Sequence, residues 1–243
     1  MLLEARGITK AFGNFKAVDN ASVVVETGEV LGLIGPNGAG KSTFFNCLTG
    51  DLPPSEGAVF LEGRDITRLP PERRAALGLA RTFQVPLTFE DMTVLENVEV
   101  GAFLRAPHPA EAGARARAVV ERVGLAHVMN TPARSLGTPG RKRLEIARAL
   151  ATQPKILLLD EAMAGLNPAE VRQAIELVRT IHADGITLVI VEHIMEVIKA
   201  LAHRVVVFHQ GHAIATGAPR EVMREPSVIE AYLGKRAAAE AAR

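Results

Sequence analysis

Hydrophobic residues along this chain follow two patterns, short continuous runs and helical stripes. The runs are rich in β-branched residues and lie within SVVVE, EVLGLIG, KILLLD, GITLVIVE and HRVVVF. KILLLD is followed by a helical pattern from about Pro168 to His182, then by GITLVIVE and a second helical pattern from Ile194. Continuous apolar strands that alternate with helices predict an α/β protein whose parallel sheet is covered on both faces.

Between Val85 and Ala151 the strand pattern disappears. The sequence there is helical, with breaks at APHP, NTPA and GTPG, which are typical of turns between helices. We therefore expect an inserted helical subdomain over 85–151 and a core formed by 1–84 and 152–243. The tail KRAAAEAAR has helix propensity but no apolar face to bury, and we expect it to be a frayed end.

The stretch SLGTPGRKRLEIARAL, residues 135–150, combines two different patterns. Its second half predicts a helix with an apolar stripe of Leu144, Ala147 and Leu150. Its first half contains two glycines and a proline, which indicate a backbone hinge rather than a simple helix start. The triplet Arg141, Lys142 and Arg143 stands where the helix macrodipole favours negative charge. Either solvent screens these cations or an anion comes close.

Composition limits the classes of protein to consider. The chain has 243 residues, 48% of them hydrophobic, and a formal charge of +1 from 28 basic and 27 acidic residues. It can form a sizeable core, and its interspersed charges give no electrostatic footprint for nucleic acid. The single Cys47 fits a reducing compartment, where we expect it to be a buried hydrophobe. MLLEARG is no signal peptide and no apolar run is long enough to span a bilayer, so we expect a soluble, cytoplasmic protein.

The clearest chemical motif is VLGLIGPNGAGKST, which places G-x-x-x-x-G-K-S between an apolar strand and a helical pattern. Gly35, Gly38 and Gly40 let the backbone curl so that its amides point at phosphate oxygens. Lys41 can then reach the outer phosphates, and the Ser42 hydroxyl can ligate Mg²⁺. The alternative is a glycine-rich turn without a ligand, but motif and context agree on a phosphate site.

An acidic pair, Asp160 and Glu161, closes the KILLLD strand. Ligands of open α/β sheets bind at the carboxyl ends of strands. Asp160 can hold Mg²⁺ there, and Glu161 can polarise an attacking water. Alone, such a pair is more often the start of a solvated loop. Together with the phosphate loop it predicts a site for a nucleoside triphosphate rather than a dinucleotide.

Six motifs occur in the order and spacing of one known family: GPNGAGKST, GLARTFQ, RLEIARAL, LLLDE, AGLNP and VIVEHIMEVI. Over essentially its whole length the chain resembles the ATPase subunits of ABC transporters. GLARTFQ, MTVLENVEVG, AGLNP and VIEAYLG are most similar to subunits of branched-chain amino-acid importers, with urea importers of the same group close behind. The resemblance implies a P-loop NTPase (RecA-like) core with a mainly parallel sheet, an N-terminal antiparallel β region and the inserted helical subdomain.

The resemblance also assigns roles to residues. It implies that Glu161, His193 and Gln84 act in catalysis and that Ser42, Gln84 and Asp160 hold Mg²⁺. Phe12 would stack on adenine, although a core phenylalanine is the alternative. Gln84 would end the ARTFQ strand, His193 would contact the γ-phosphate, and Asn167 would lie in a loop that crosses to another subunit, or simply start a helix. The ATP-binding residues would be Phe12, Gly35, Pro36, Asn37, Gly38, Ala39, Gly40, Lys41, Ser42 and Thr43.

The loop before the RLEIARAL helix is where the chain departs from the family. The family reads LSGGQ there and binds the γ-phosphate of ATP held by the opposite subunit. The corresponding residues here are Leu136, Gly137, Thr138, Pro139 and Gly140. Gly137 has no hydroxyl and Pro139 no amide hydrogen, so two donors are lost. We expect a heterodimer with unequal sites, the alternative being a weak homodimer; Ala162, where the family has proline, should matter little.

The resemblance implies an importer motor with MgATP as cofactor. Its partners would be two transmembrane permeases, a second ATP-binding subunit and, indirectly, a solute-binding protein, but no nucleic acid. It would work at the cytoplasmic side of the inner membrane. The run with Leu87, Phe89, Met92 and Val94 would dock on a permease, or simply pack a small helical core. A soluble ABC ATPase acting on DNA or ribosomes is less compatible with one cassette, one cysteine and no sustained heptads; the phosphate loop alone would also allow a kinase.

Overall fold

The computed structural model describes residues 1–233, and the tail KRAAAEAAR lies outside them. The chain forms two compact units, Met1–Pro71 with the described residues from Thr187 onward, and Glu72–Ile186. The elements in chain order are β1 (Leu3–Phe12), β2 (Phe15–Val25), β3 (Val30–Ile34), α1 (Lys41–Thr49), β4 (Glu56–Leu61), β5 (Arg64–Asp65), α2 (Pro71–Leu77), β6 (Leu79–Arg81), α3 (Val94–Ala102), α4 (Pro109–Arg122), α5 (Thr138–Ala151), β7 (Ile156–Asp160), α6 (Pro168–Ala183), β8 (Thr187–Val191), α7 (Met195–Leu201), β9 (Arg204–His209), β10 (His212–Gly217), α8 (Pro219–Val222) and α9 (Pro226–Leu233). Two short 3-10 helices, Ala126–Val128 and Ala133–Ser135, precede α5.

The first unit contains two groups of strands. One is an antiparallel sheet in the order β2-β1-β4-β5, as expected for the N-terminal region. In the other group, β3 lies parallel to β8 and β9, while β10 pairs antiparallel with β9. Every residue of β3 and β8 is buried. This burial on both faces explains why these strands are continuous apolar runs rather than alternating ones.

The second unit contains the parallel pair β6 and β7 together with helices α2 to α6. Helix α3 packs against α4 and α5, and the predicted stripe of Leu144, Ala147 and Leu150 is buried. Helices α3 and α6 each begin with a capping box, formed by Thr93 with Glu96 and by Asn167 with Glu170. These caps satisfy amides that the first turn of a helix leaves open.

Helix boundaries mostly match the sequence pattern. Helix α6 covers the predicted 168–182, and Ile194 is the N-cap of α7. The expected hinge in 135–150 is wrong, because Gly137 has an ordinary φ of −70° and α5 begins at Thr138. Proline fits the first turn of a helix, where its missing amide hydrogen breaks no bond. Among the described residues, no helix combines the length and apolar character needed to cross a bilayer.

Candidate functional site

The GPNGAGKS loop connects the buried strand β3 to α1, as its motif predicts. Gly35 has φ 146°, and a Cβ there would lie 2.2 Å from the carbonyl oxygen of Phe208. Gly40 has φ 100°, and its Cβ would lie 2.3 Å from the carbonyl oxygen of Ala17. Both positions therefore exclude a side chain on conformational and steric grounds. The loop is further supported by the Gly211 amide, which donates to Ala39 O over 3.0 Å.

The chemistry of this loop suits a phosphate anion. The Lys41 Nζ donates to the carbonyl oxygens of Gly35 and Pro36 over 2.7 and 3.0 Å. Helix α1 has no side-chain cap and no acidic residue in its first turn, so no carboxylate there competes for its positive end. The Ser42 side chain, at the second position of α1, is exposed. The loop and the first turn of α1 thus bring backbone amides, an ammonium group and a hydroxyl within a few residues of one another, and each of these groups can bind a phosphate.

Three aromatic or imidazole side chains of the first unit bear on the nucleotide assignment. Phe12 is 50% exposed, so the core alternative for it is wrong, and stacking on adenine stays a prediction. His193 is exposed two residues after β8. Tyr232 on α9 was missed by the sequence reasoning. Burial raises the pKa of Tyr232, while a hydrogen bond with the backbone of Gly35 opposes that rise.

The acidic pair of the second unit begins with Asp160, the last residue of β7, which is only 6% exposed. Its Oδ2 accepts from Arg81 Nη2 on the neighbouring strand β6 over 3.2 Å. The Asp160 amide donates to Thr82 Oγ1 over 3.2 Å. The Arg81 guanidinium also lies over the Phe83 ring, 4.3 Å from its centroid. A buried carboxylate requires such partners, and Arg81 was not among the predicted site residues.

Glu161 adopts an unusual backbone conformation, with φ 46°. Non-glycine residues in the left-handed region are uncommon and concentrate at functional sites. Its Oε2 accepts from Gln84 Nε2 over 2.8 Å, and its carbonyl oxygen accepts from Lys142 Nζ over 2.9 Å. Gln84 does not end a strand as expected, because β6 stops at Arg81 and Gln84 lies exposed in the loop that follows. The structure nevertheless joins two of the three predicted catalytic side chains directly.

The loop around Gln84, residues 82–89, is held by helix α5 through residues that the sequence reasoning missed. Glu145 Oε1 accepts from the Phe83 amide over 2.9 Å. Burial raises the pKa of Glu145 to about 7, against the opposing effect of hydrogen bonds from the Phe83 and Leu87 amides and the nearby Arg148 and Lys142. The detectable signal was a charged residue at every third position of α5, Lys142, Glu145 and Arg148, a spacing that places them side by side on the helix;.

The loop 136–140 precedes and begins α5, with Gly137 and Thr138 exposed. Gly137 is the N-cap and makes no side-chain cap hydrogen bond. The Pro139 nitrogen carries no hydrogen, so the first turn offers one amide donor fewer than it would with glycine at position 139. The role of this loop toward the ATP of another subunit stays a prediction.

The cationic triplet is not gathered at the start of α5. Arg141 donates to Leu136 O over 3.0 Å and to Glu90 Oε1 over 2.7 Å. Arg143 donates to Gln173 Oε1 over 2.7 Å, and Lys142 is directed at Glu161. Neither predicted alternative, solvent screening or a bound anion, is therefore needed to explain the triplet, since intramolecular partners engage all three side chains.

The oxygen donors predicted for Mg²⁺ suit a hard cation: the Ser42 hydroxyl, the Gln84 amide oxygen and the Asp160 carboxylate. Mg²⁺ in proteins takes few side-chain ligands and completes its octahedron with substrate phosphates and water. Asp160 is only 6% exposed, and its Oδ2 lies 3.2 Å from Nη2 of Arg81, which holds this carboxylate in place;. Each of these donors therefore has the chemistry that a phosphate-bound Mg²⁺ requires.

Sequence comparisons agree with this chemistry. The profile of the family described as "ABC transporter" matches residues 18–164. A second profile, "Branched-chain amino acid ATP-binding cassette transporter", matches 214–238. The chain is 40% identical to the high-affinity branched-chain amino acid transport ATP-binding protein LivG of Salmonella typhimurium, over 96% of this chain and 98% of the relative. It is 37% identical to the lipopolysaccharide export system ATP-binding protein LptB of Acidithiobacillus ferridurans, over 96% and 97%.

Solved structures give the same result. A nucleotide-free ATP-binding cassette from an ABC transporter superposes with a TM-score of 0.88 at 34% identity, over 96% of this chain and 99% of that one. A cassette in its ADP conformation superposes with a TM-score of 0.87 at 35% identity, over the same shares. The predicted P-loop NTPase fold is thereby confirmed. This chain belongs to the ABC transporter family, in which it is an ATP-binding cassette and an ATPase.

Proposed function

We propose that this chain is the ATP-hydrolysing subunit of an importer for branched-chain or other hydrophobic amino acids. The single observation that carries the cargo class is the match of residues 214–238 to the branched-chain amino acid cassette profile. That match lies outside the segment shared with ABC transporters in general, 18–164. The similarity to LptB shows why the cassette alone is insufficient, since a related chain serves lipopolysaccharide export.

In this proposal the phosphate loop binds the triphosphate and the acidic pair performs hydrolysis. Lys41 and the loop amides neutralise and orient the phosphates. Glu161 accepts a proton from the attacking water, which the Gln84 amide helps to orient from its 2.8 Å contact with that carboxylate;. His193 donates to the γ-phosphate from the end of β8. When Mg²⁺ is bound by Ser42, Gln84 and Asp160, it supplies positive charge against the phosphates.

A docking surface for permeases is part of the proposal. The loop 82–89 exposes three apolar side chains: Val85 at 71%, Leu87 at 57% and Phe89 at 45%. Exposed apolar groups this close in sequence support a protein contact. Val94, included in the predicted docking run, is fully buried and belongs to the helical core instead. Docking would place the chain at the cytoplasmic side of the membrane, beside two permeases and a second ATP-binding subunit.

Site-specific cross-linking tests the docking surface. A photoreactive residue at Val85 or Leu87 should cross-link to cytoplasmic loops of the permeases in the assembled transporter. Arg179 on α6, whose side chain is half exposed and paired with Glu176, is a suitable control position on a different element. Cross-links from Arg179 but none from the loop 82–89 would exclude this surface.

Reconstitution tests the cargo. The chain should be purified with its permeases, placed in vesicles and supplied with the cognate solute-binding protein. Leucine, isoleucine or valine should then stimulate ATP hydrolysis and accumulate in the vesicles. Stimulation by urea or a short amide, with no response to the branched-chain amino acids, would contradict the proposed cargo while leaving the ATPase assignment intact.

A further inference from the structure

Three charged side chains recur at every third residue along α5, and each contacts either the loop 82–89 or Glu161. Lys142 donates to Glu161 O over 2.9 Å. Glu145 accepts from the Phe83 amide over 2.9 Å. Arg148 donates to the Leu87 carbonyl and lies 4.6 Å from the centroid of the Phe89 ring. Residues three apart are neighbours on a helix surface, so one face of α5 contacts both the loop 82–89 and the residue after β7.

The loop 82–89 has little regular structure of its own. It follows the last residue of β6 and exposes Gln84 and Val85 to solvent. An exposed segment of this kind takes up many conformations unless side chains bind its backbone. Glu145 supplies that restraint twice, through the amides of Phe83 and Leu87. The first of these amides belongs to the residue directly before Gln84.

Lys142 and Glu145 therefore bind the backbone near each end of the hydrogen bond between Gln84 and Glu161. Lys142 fixes the backbone of Glu161, and Glu145 fixes the backbone next to Gln84. Between them runs the 2.8 Å contact from Gln84 Nε2 to Glu161 Oε2. Displacements of about 1 Å in such an arrangement can cost roughly 100-fold in rate.

The burial of Glu145 indicates that its carboxyl group has a role other than stability. Glu145 is only 6% exposed, and its neighbours in sequence, Leu144 and Ile146, are also buried. Replacing a buried charged group with an apolar one of similar size is often neutral or stabilising. A leucine at 145 would fill the space, but it would leave the Phe83 and Leu87 amides without their acceptor.

We propose that Glu145 is a positioning residue for ATP hydrolysis: from α5 it fixes the loop 82–89 so that the Gln84 side chain stays against Glu161. The inference rests on the proposed function, because it takes Gln84 and Glu161 to be the groups that handle the attacking water. It adds a residue that contacts neither nucleotide nor water and acts only through Gln84. It also joins the loop that carries Gln84 to α5, the helix that begins within the 136–140 loop.

Single and double substitutions in the full-length chain test this role. Glu145→Leu should lower kcat about 10- to 100-fold while leaving the KM for MgATP within about twofold. Glu145→Gln keeps an acceptor oxygen for the Phe83 amide, so its kcat should lie between those of the parent and of Glu145→Leu. Ile146→Val, a buried change at the next residue of α5, is the matched control and should leave kcat unchanged.

The double substitution distinguishes positioning from general destabilisation. If Glu145 acts through Gln84, then Gln84→Ala with Glu145→Leu should be no slower than Gln84→Ala alone. Three results would overturn the inference while the proposed function stands. The first is a double variant whose loss of kcat is the product of the two single losses. The others are a parental kcat for Glu145→Leu, and equal losses of kcat for Glu145→Gln and Glu145→Leu. A parental rate for Gln84→Ala alone would instead overturn the role of Gln84 in the proposed function, and the inference with it.

Discussion

The 136–140 loop makes a prediction that follows from two missing hydrogen-bond donors. Gly137→Ser restores a hydroxyl and Pro139→Gly restores an amide hydrogen. The structure accepts the first change without strain, because Gly137 has φ −70° and an added Cβ would meet only Pro139 Cδ, at 3.8 Å. As Gly137 is an N-cap without a side-chain hydrogen bond, serine should also stabilise α5 by a few tenths of a kcal/mol.

The magnitude follows from the worth of a hydrogen bond to a charged group, about 1.5 to 3 kcal/mol. One restored donor to the γ-phosphate should therefore speed hydrolysis roughly 10- to 150-fold where this loop limits the rate. Two donors together represent roughly 3 to 6 kcal/mol. The cationic triplet offers little compensation in the present structure, since Arg141, Lys142 and Arg143 are engaged with Glu90, Glu161 and Gln173.

Steady-state ATP hydrolysis by the purified homodimer is the assay, with melting temperatures as a check on folding. In a heterodimer, the same double substitution should raise turnover at the ATP site of the other subunit, because the loop is expected to complete that site. Parental rates in both assemblies, with dimerisation verified by sedimentation, would refute the reasoning about these five residues.

Two further predictions concern buried side chains that can carry a charge, Lys41 and Glu145. Lys41→Ala should weaken ATP binding roughly 10- to 150-fold in a fluorescent-nucleotide titration, because the phosphates lose a cationic donor; unchanged affinity would exclude Lys41 as a phosphate ligand. Burial raises the pKa of Glu145 from 4.5 to about 7. Between these pH values its carboxyl group is therefore protonated in the folded protein and ionised in the unfolded chain. The associated stability, at most about 3 kcal/mol, is present below pH 4.5 and lost as pH rises through 7. In denaturant titrations, the free energy of unfolding of Glu145→Gln should lack this pH-dependent part. A Glu145→Gln variant with the same pH dependence as the parent protein would contradict the prediction.

The sequence contains enough information for the strands and helices of the core because burial leaves a simple pattern. Strands β3 and β8 are buried at every position, so each appears as an uninterrupted apolar run;. The phosphate loop is equally visible, since Gly35 and Gly40 lie so close to neighbouring backbone that a Cβ cannot fit. The identity of these residues is dictated locally, and local constraints can be recognised in one sequence.

Other features depend on which side chains meet in space. The glycines of 136–140 indicated a hinge, yet neither has positive φ and the helix simply begins there. The partners of Arg141 and Lys142 lie about 50 and 20 residues away along the chain. Arg81, Glu145 and Tyr232 matter through contacts with Asp160, Phe83 and Gly35. No periodicity or motif spacing encodes such pairings, and only the folded chain reveals them.

The most direct test of the account is ATP hydrolysis by the Glu161→Gln variant, measured together with ATP binding. The substitution keeps the size of the side chain and removes its ability to accept a proton. Binding of MgATP should remain within about twofold of the parent, since Lys41, Ser42 and Asp160 are intact, while kcat should fall at least about 100-fold. A Glu161→Gln variant that binds ATP and hydrolyses it at the parental rate would contradict the assignment of Glu161 and the mechanism built on it.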